Sequence, residues 1–150
     1  MTTKMLKKDK RRVRNTTTKD KLLYNNIQFR SSLEVYCYQQ LIKHHLEAQY
    51  ETISYELIPK FTFNAKCLES SKNGLKLSTP NIRPWTYTPD FIGTGWIIEC
   101  KGFRGLDTWP LKLKAFKYLL KDSNIDLYIP SNRKQIDETI KLIINGNNDN

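Results

Sequence analysis

Long hydrophobic runs and paired cysteines are both absent from this sequence of 150 residues. Its longest apolar stretches, such as Trp96–Ile98, are a few residues long, whereas a membrane-spanning helix needs roughly 20. No apolar region of roughly 7–15 residues follows the basic N-terminus, so we expect no secretory signal. The three cysteines are widely spaced, which argues against a disulfide framework and a CxxC zinc site. The sequence predicts a protein of a reducing, cytoplasmic compartment with no membrane partner.

Acidic residues are in the minority, and the positive charge is concentrated at the N-terminus. The chain has 25 Lys and Arg against 15 Asp and Glu, a net charge of +10. Residues 1–21 hold nine basic and two acidic residues, which is +7 of that total. They have few apolar side chains, so we predict a disordered basic arm at 1–21 and one folded domain at 22–150. The arm is either a solvated tail or a nucleic-acid-binding segment that releases counterions from phosphates. In the second case its candidate DNA contacts are Lys7, Lys8, Arg11, Arg12 and Arg14.

The first predicted helix covers about residues 31–48. Ser31 and Glu34 have the capping-box spacing, in which a hydroxyl and a carboxylate satisfy free N–H groups at the start of a helix. Apolar residues then follow with helical periodicity, from Leu33 to Leu46. Glu34 is therefore a candidate helix-capping residue.

A strand, a polar segment and a hairpin are predicted next. Residues 55–63 read as a strand in which Pro59 requires an edge or a bulge, and residues 64–81 as a loop or an irregular hairpin extension. Two strand-like runs flank Gly93-Thr94-Gly95 and indicate a β-hairpin. Because side chains alternate along a strand, Glu99 and Lys101 share one face. Asp90 joins that face if the hairpin loop has two residues, and either Gly-Thr or Thr-Gly could form such a loop.

The remaining elements complete an α/β pattern. A helix begins at Asp107 or Thr108, a short strand spans 125–129, and a final helix carries Ile136, Ile140 and Ile143. A strand, helix and strand with this spacing imply a parallel crossover, so we predict a mixed β-sheet flanked by helices in the order α-β-β-β-α-β-α. The second helix presents a basic ridge that is either solvated or in contact with phosphates. That ridge consists of Lys114, Lys117 and Lys121.

Asp90, Glu99 and Lys101 together suggest phosphodiester chemistry. Two neighbouring carboxylates repel each other, and a hard divalent cation such as Mg²⁺, or Mn²⁺ as a substitute, relieves the repulsion. A lysine beside them can hold an attacking water and stabilise charge that develops on the phosphate. The alternative interpretation is a strand-ending Asp90 beside an ordinary same-face charge pair, because Glu-x-Lys alone is common.

These residues also resemble a known superfamily. Pro89-Asp90, followed after eight residues by Glu99-Cys100-Lys101, is similar to the motif of PD-(D/E)XK nucleases. Phe29–Glu34, Tyr87–Phe91 and Glu99–Gly102 further resemble three motifs of the phage endonuclease I type of Holliday-junction resolvase. The resemblance implies a restriction-endonuclease-like core and a metal site formed by Glu34, Asp90 and Glu99, with Lys101 as the catalytic lysine.

The resulting hypothesis is a metal-dependent DNA endonuclease that cleaves branched DNA in the cytoplasm of a phage-infected host cell. The resemblance also implies a homodimer and a further acidic residue, for which Glu56 is the nearest candidate. Arg30 joins the basic arm and the lysine ridge as a DNA contact. Two alternatives stay open: a monomeric nicking or repair-type endonuclease, and a non-catalytic nucleic-acid-binding or virion-associated protein that retains the fold.

Overall fold

The protein has a mixed α/β fold in the computed structural model, which describes residues 22–102 and 108–148. No helix in these two ranges has the length and apolar character needed to span a membrane. The helices are α1 (Ser32–Lys43), α2 (Thr108–Leu120) and α3 (Arg133–Asn148). The strands are β1 (Leu23–Tyr24), β2 (Ile27–Gln28), β3 (Gln49–Tyr50), β4 (Tyr55–Ile58), β5 (Phe61–Thr62), β6 (Leu68–Ser71), β7 (Gly74–Leu77), β8 (Asn81–Ile82), β9 (Trp85–Tyr87), β10 (Phe91–Gly93), β11 (Trp96–Ile98) and β12 (Asp126–Tyr128).

A four-stranded sheet in the order β12-β11-β10-β3 forms the centre of the fold. β10 and β11 make an antiparallel hairpin, and β11 pairs in parallel with β12 after the chain has passed through α2. The predicted parallel crossover is therefore confirmed. The fourth strand differs from the prediction, because β3 pairs with β10 whereas the predicted strand at 55–63 lies outside this sheet. Two-residue β3 is too short to leave a periodic signal in the sequence.

Helices pack on both faces of the central sheet. Ile98 and Cys100 belong to a core cluster that includes Cys37 of α1 and Ile140 of α3. Ile97, between them in the sequence, belongs to a second cluster that includes Phe116 of α2. The alternation of side chains along β11 thus sends even-numbered residues towards α1 and α3 and odd-numbered residues towards α2.

Helix α1 begins as predicted but is shorter. Ser31 is its N-cap, and its hydroxyl oxygen accepts a hydrogen bond from the Glu34 N–H. The predicted end near residue 48 is wrong, because the helix ends at Lys43. His45 adopts a left-handed conformation with φ of 55°, and the N–H groups of His45 and Leu46 donate to the carbonyls of Ile42 and Leu41. A glycine usually marks this Schellman-type ending in a sequence, and none is present here. The apolar periodicity alone therefore predicted too long a helix.

Residues 55–87 form a long two-stranded excursion from the body, which we call the β-ribbon. β4 pairs with β9, β5 with β8, and β6 with β7, each pair antiparallel and each a separate two-stranded sheet. The predicted strand at 55–63 is interrupted at Pro59, which cannot donate to a ladder. The base of the β-ribbon is anchored on α2, since the rings of Tyr55 and Tyr87 lie 5.0 and 4.6 Å from that of Phe116.

The loop of the central hairpin contains two residues, Thr94 and Gly95. Gly93 pairs with Trp96, and Gly95 has φ of 78°, the positive value that a type II turn requires at its third position. A side chain at Gly93 would overlap the Trp96 ring. The sequence left open whether Gly-Thr or Thr-Gly forms the loop. The structure has Thr-Gly, because Gly93 pairs with Trp96 and leaves room for its ring.

Candidate active site

Asp90 and Glu99 lie across from each other at the end of the β10–β11 hairpin. The register pairs Phe91 with Ile98 and Ile92 with Ile97, so its continuation by one residue sets Asp90 opposite Glu99. The carboxylate of Asp90 accepts a hydrogen bond of 2.7 Å from the Cys100 N–H. Asp90 is 8% exposed and Glu99 6% exposed. Two acidic side chains are therefore held together in a largely dry environment.

Lys101 shares a face with Glu99, as strand alternation predicts. The N–H groups of Glu99 and Lys101 donate to the carbonyls of Tyr128 and Pro130, both at 2.9 Å, which continues the parallel ladder with β12. Cys100 points the other way, into the cluster with Cys37. Interaction with the Cys37 thiol and burial both raise the pKa of the Cys100 thiol, so it is neutral and serves as a small apolar group.

Within residues 22–102 and 108–148, burial and neighbouring negative charge dominate the environment of the two carboxyl groups. Burial and the charges of Glu99 and Glu34 raise the pKa of Asp90 to about 8, although the Cys100 N–H opposes the rise. Burial also raises the pKa of Glu99, against the lowering effects of the Tyr87 hydroxyl and of Lys101. The Glu99 Oε2 atom is buried and has no hydrogen-bond partner among the residues that the structure describes. Buried acceptors are normally paired, so this atom calls for a cation or a donor.

Glu34 approaches the pair from α1, but hydrogen bonds already occupy both of its carboxylate oxygens. Oε1 accepts from the Ser31 hydroxyl at 2.6 Å, and Oε2 accepts from the Tyr50 hydroxyl at 2.7 Å and the Arg30 N–H at 3.1 Å. Burial, followed by the hydrogen bond to Glu34, raises the pKa of Tyr50, which keeps this donor protonated. The capping interpretation of Glu34 therefore has direct contacts, and its effect on the pKa of Asp90 indicates proximity to the site.

A fourth carboxylate, that of Glu51, was missed by the sequence reasoning. The Glu51 N–H donates to the Asp90 carbonyl at 3.0 Å, and its side-chain charge contributes to the raised pKa of Asp90. Arg30 forms an ion pair of 2.9 Å with Glu51. Glu56, the sequence-based candidate, is exposed on β4 opposite Thr86. The pairing of β3 with β10 places Glu51 beside Asp90. No periodic pattern in the sequence predicts that pairing.

The predicted metal ligands form a partial donor set. Among the residues in the two described ranges, no three His, Cys, Asp or Glu side chains are arranged as a ready ligand group for a metal ion. Asp90 and Glu99 nevertheless suit a hard cation, because they supply only oxygen and because no described residue donates to Glu99 Oε2. Mg²⁺ commonly binds through one or two carboxylates and completes its shell with water and substrate phosphate. The residues present therefore fit such an ion as a two-carboxylate site.

Aromatic side chains line the approach to Lys101. Its ammonium nitrogen lies 4.5 Å from the centroid of the Trp109 ring, within the range of a cation–π interaction. The Trp109 ring in turn lies 5.8 Å from that of Tyr87. Trp109 therefore restrains the lysine next to Glu99.

The predicted DNA contacts are dispersed. Arg30 is exposed, and its guanidinium group faces Glu51. All three lysines of the ridge are exposed; Lys114 and Lys117 lie on α2, and Lys121, just past its end, lies 3.6 Å from Asp122. The contacts predicted in the basic arm lie outside the described residues; they are Lys7, Lys8, Arg11, Arg12 and Arg14.

Residues 14–135 match the family described as "Protein of unknown function (DUF1064)". This match covers most of the chain, so the protein belongs to that family. Neither a curated protein nor a solved structure matches the chain.

Proposed function

We propose that this member of the DUF1064 family is a metal-dependent DNA endonuclease with a restriction-endonuclease-like core. The observation that carries the proposal is the buried pair of opposed carboxylates, Asp90 and Glu99, beside Lys101. Two observations support a site that receives a cation: the raised pKa of Asp90, and a Glu99 Oε2 atom that accepts no hydrogen bond from the described part of the chain. The order of motifs around Pro89-Asp90 and Glu99-Cys100-Lys101, similar to that of PD-(D/E)XK nucleases, supports the reaction class.

Asp90 and Glu99 would hold Mg²⁺ or Mn²⁺, with Glu34 as a neighbouring carboxylate on α1. When bound, the ion would supply a Lewis acid for a phosphate oxygen of the substrate. The Cys100 N–H fixes one oxygen of Asp90, so the orientation of that carboxylate is set before any ligand arrives. Such preorganisation lowers the cost of forming a productive complex.

Lys101 has the chemistry of a water-positioning and charge-stabilising group. Its ammonium carries three donors and no acceptor, so it can orient a water while it faces a negatively charged phosphate. The centroid of the Trp109 ring lies 4.5 Å from the ammonium nitrogen, and the ring holds the ammonium near the pair of acids, where its charge lowers the pKa of Glu99. An attacking water held by Lys101 and directed at phosphorus would displace one ester oxygen of the backbone.

Branched DNA is the substrate class that we propose, and a homodimer the active form, on the resemblance to the resolvase motifs. The basic arm, Arg30 and the lysine ridge supply charge that contacts the backbone without reading sequence. A four-way junction cut faster than a plain duplex, together with a dimeric mass in solution, is the expected result. Equal cleavage of duplex and junction by a monomer would favour the nicking or repair-type alternative.

Cleavage of a panel of duplex, nicked, flapped and four-way DNA with and without Mg²⁺ tests the central claim. Asp90→Asn and Lys101→Ala should each abolish cleavage while DNA binding persists. The matched controls are Asp122→Asn and Lys141→Ala, which change exposed residues outside the site and should cleave normally. Absence of Mg²⁺-stimulated cleavage by the unaltered protein, or retained cleavage in both site variants, would refute the proposal in favour of a non-catalytic DNA-binding protein.

A further inference from the structure

No described part of the chain forms a layer on either face of the distal β-ribbon. Every residue of β6 and β7 is exposed, as is every residue of β5 and β8. Among the strands of the two described ranges, the members of each pair bond to no third strand. An isolated two-stranded ribbon is marginally stable at best in water, so a structure of this kind gains stability from a bound partner.

Large apolar side chains are displayed along this distal part. Leu75, near the tip, is 72% exposed, and Leu68 and Leu77, which face each other across the strands, are 56% and 58% exposed. Phe61 and Ile82 form another exposed cross-strand pair, with Phe63 two residues further along. Clustered exposed apolar side chains mark surfaces that contact a ligand.

Basic residues alternate with these apolar residues. Residues 58–83 contain five cations and one anion, Glu69, a net charge of +4. All five cations are exposed; they are Lys60, Lys66, Lys72, Lys76 and Arg83. Packing of two copies of the ribbon against each other would bring these like charges together, whereas a polyanion would neutralise them. The charge therefore favours a nucleic acid over a second copy of the chain.

We propose that the β-ribbon is a DNA-binding arm that enters a groove of duplex DNA. β-Ribbon proteins place strands in either groove; from the minor groove, lysines reach the phosphates on either side, and the exposed leucine at the tip can wedge between base pairs and bend the duplex. The identity of the partner rests on the proposed function, but the proposal concerns binding and needs no cleavage. It assigns a role to the segment 64–81, which the sequence motifs did not include.

Fluorescence anisotropy with a duplex and with a four-way junction, in EDTA so that no metal acts, tests the charged contacts. Lys66→Gln combined with Lys72→Gln should weaken binding on the order of 50-fold at about 0.1 M salt and lower the slope of log K against log salt by about 2, as expected for two lost phosphate contacts. The matched control is Lys43→Gln with Lys141→Gln, which removes the same charge from α1 and α3. Equal losses in the two double variants would overturn the proposal, because the effect would then come from overall charge.

The apolar contact is tested by Leu75→Ser, with Leu142→Ser on α3 as its control, since Leu142 is similarly exposed at 56%. Energy transfer between dyes at the two ends of a duplex should report bending by the unaltered protein and the control, and at least a twofold smaller change with Leu75→Ser. Bending by Leu75→Ser equal to that of the unaltered protein would refute the proposal that Leu75 wedges between base pairs. If sedimentation instead shows a DNA-free dimer that Leu75→Ser dissociates while DNA affinity is retained, the ribbon binds a second copy and the proposal is wrong.

The outcomes separate this inference from the proposed function. If the unaltered protein has no nuclease activity and the ribbon variants lose DNA binding, the DNA-binding role of the β-ribbon is supported and the proposed nuclease function is refuted. If the unaltered protein is an active nuclease and the ribbon variants bind DNA normally, only the DNA-binding role of the β-ribbon is refuted.

Discussion

Replacement of Asp90 by asparagine should stabilise the protein at about pH 9 and change its stability little at about pH 5. The carboxyl group of Asp90 is buried beside Glu99 and Glu34, and its pKa is raised from 3.8 to about 8. A carboxyl group with a raised pKa in the folded state contributes stability that is fully present below its unfolded pKa and is lost as the pH rises through its folded pKa. The unaltered protein should therefore lose stability between about pH 4 and pH 8, and the asparagine variant should lose less.

The size of the effect follows from the shift in pKa. The pKa of Asp90 rises from 3.8 to about 8. At about 1.4 kcal/mol per pH unit, the gain in free energy of unfolding from the asparagine variant is at most about 6 kcal/mol. Asparagine also weakens the hydrogen bond from the Cys100 N–H, which loses its charged acceptor at a cost of about 1 kcal/mol. Small movements of the side chains relax part of the repulsion. We therefore expect a gain of about 2 kcal/mol at alkaline pH.

Urea unfolding at the two pH values in EDTA, followed by tryptophan fluorescence, measures this difference. Asp122→Asn is the control, because its side chain is 86% exposed and its replacement should have no comparable effect at either pH. Addition of Mg²⁺ or Mn²⁺ should then stabilise the unaltered protein by about 2.7 kcal/mol at a concentration of 100 times Kd, and the asparagine variant much less. An asparagine variant that is no more stable at alkaline pH would show that the carboxylates are not in conflict, and the argument for a cation would fail.

Three further substitutions test local geometry by the same urea assay. Gly93→Ala should destabilise the protein by about 2–3 kcal/mol, because the new methyl group would overlap the Trp96 ring and overpacking is costly; an unchanged midpoint would contradict the tight hairpin contact. His45→Gly should stabilise it by about 1 kcal/mol, since glycine adopts the φ of 55° found there without strain; a loss of stability would argue against the left-handed helix ending. Tyr50→Phe should cost about 1 kcal/mol, because Glu34 loses a donor at 2.7 Å; no change would mean that the hydroxyl contributes nothing to holding this carboxylate.

Local patterns in the sequence were sufficient for several elements. The Ser31 and Glu34 spacing predicted the start of α1, and the parity of a two-residue loop predicted that Asp90 could lie opposite Glu99. Alternation along the strand predicted that Glu99 and Lys101 share one face. Each of these features depends on neighbours a few residues apart, whose relation is set by the 3.6-residue period of a helix or the two-residue period of a strand.

Long-range contacts decided the remainder. The pairing of β3 with β10 brings Glu51 to Asp90 although 39 residues separate them in the sequence, and the hydrogen bond from Tyr50 occupies an oxygen of Glu34. The strand at Tyr55 joins the β-ribbon instead of the central sheet because its partner is β9. Sequence alone determined that Asp90 and Glu99 could share one face of a hairpin beside Lys101, since residue type fixes the chemistry and the two-residue period fixes the face. Only the tertiary structure decided how many carboxylates gather there and which of them are already hydrogen-bonded, because burial and pairing are properties of distant segments brought together.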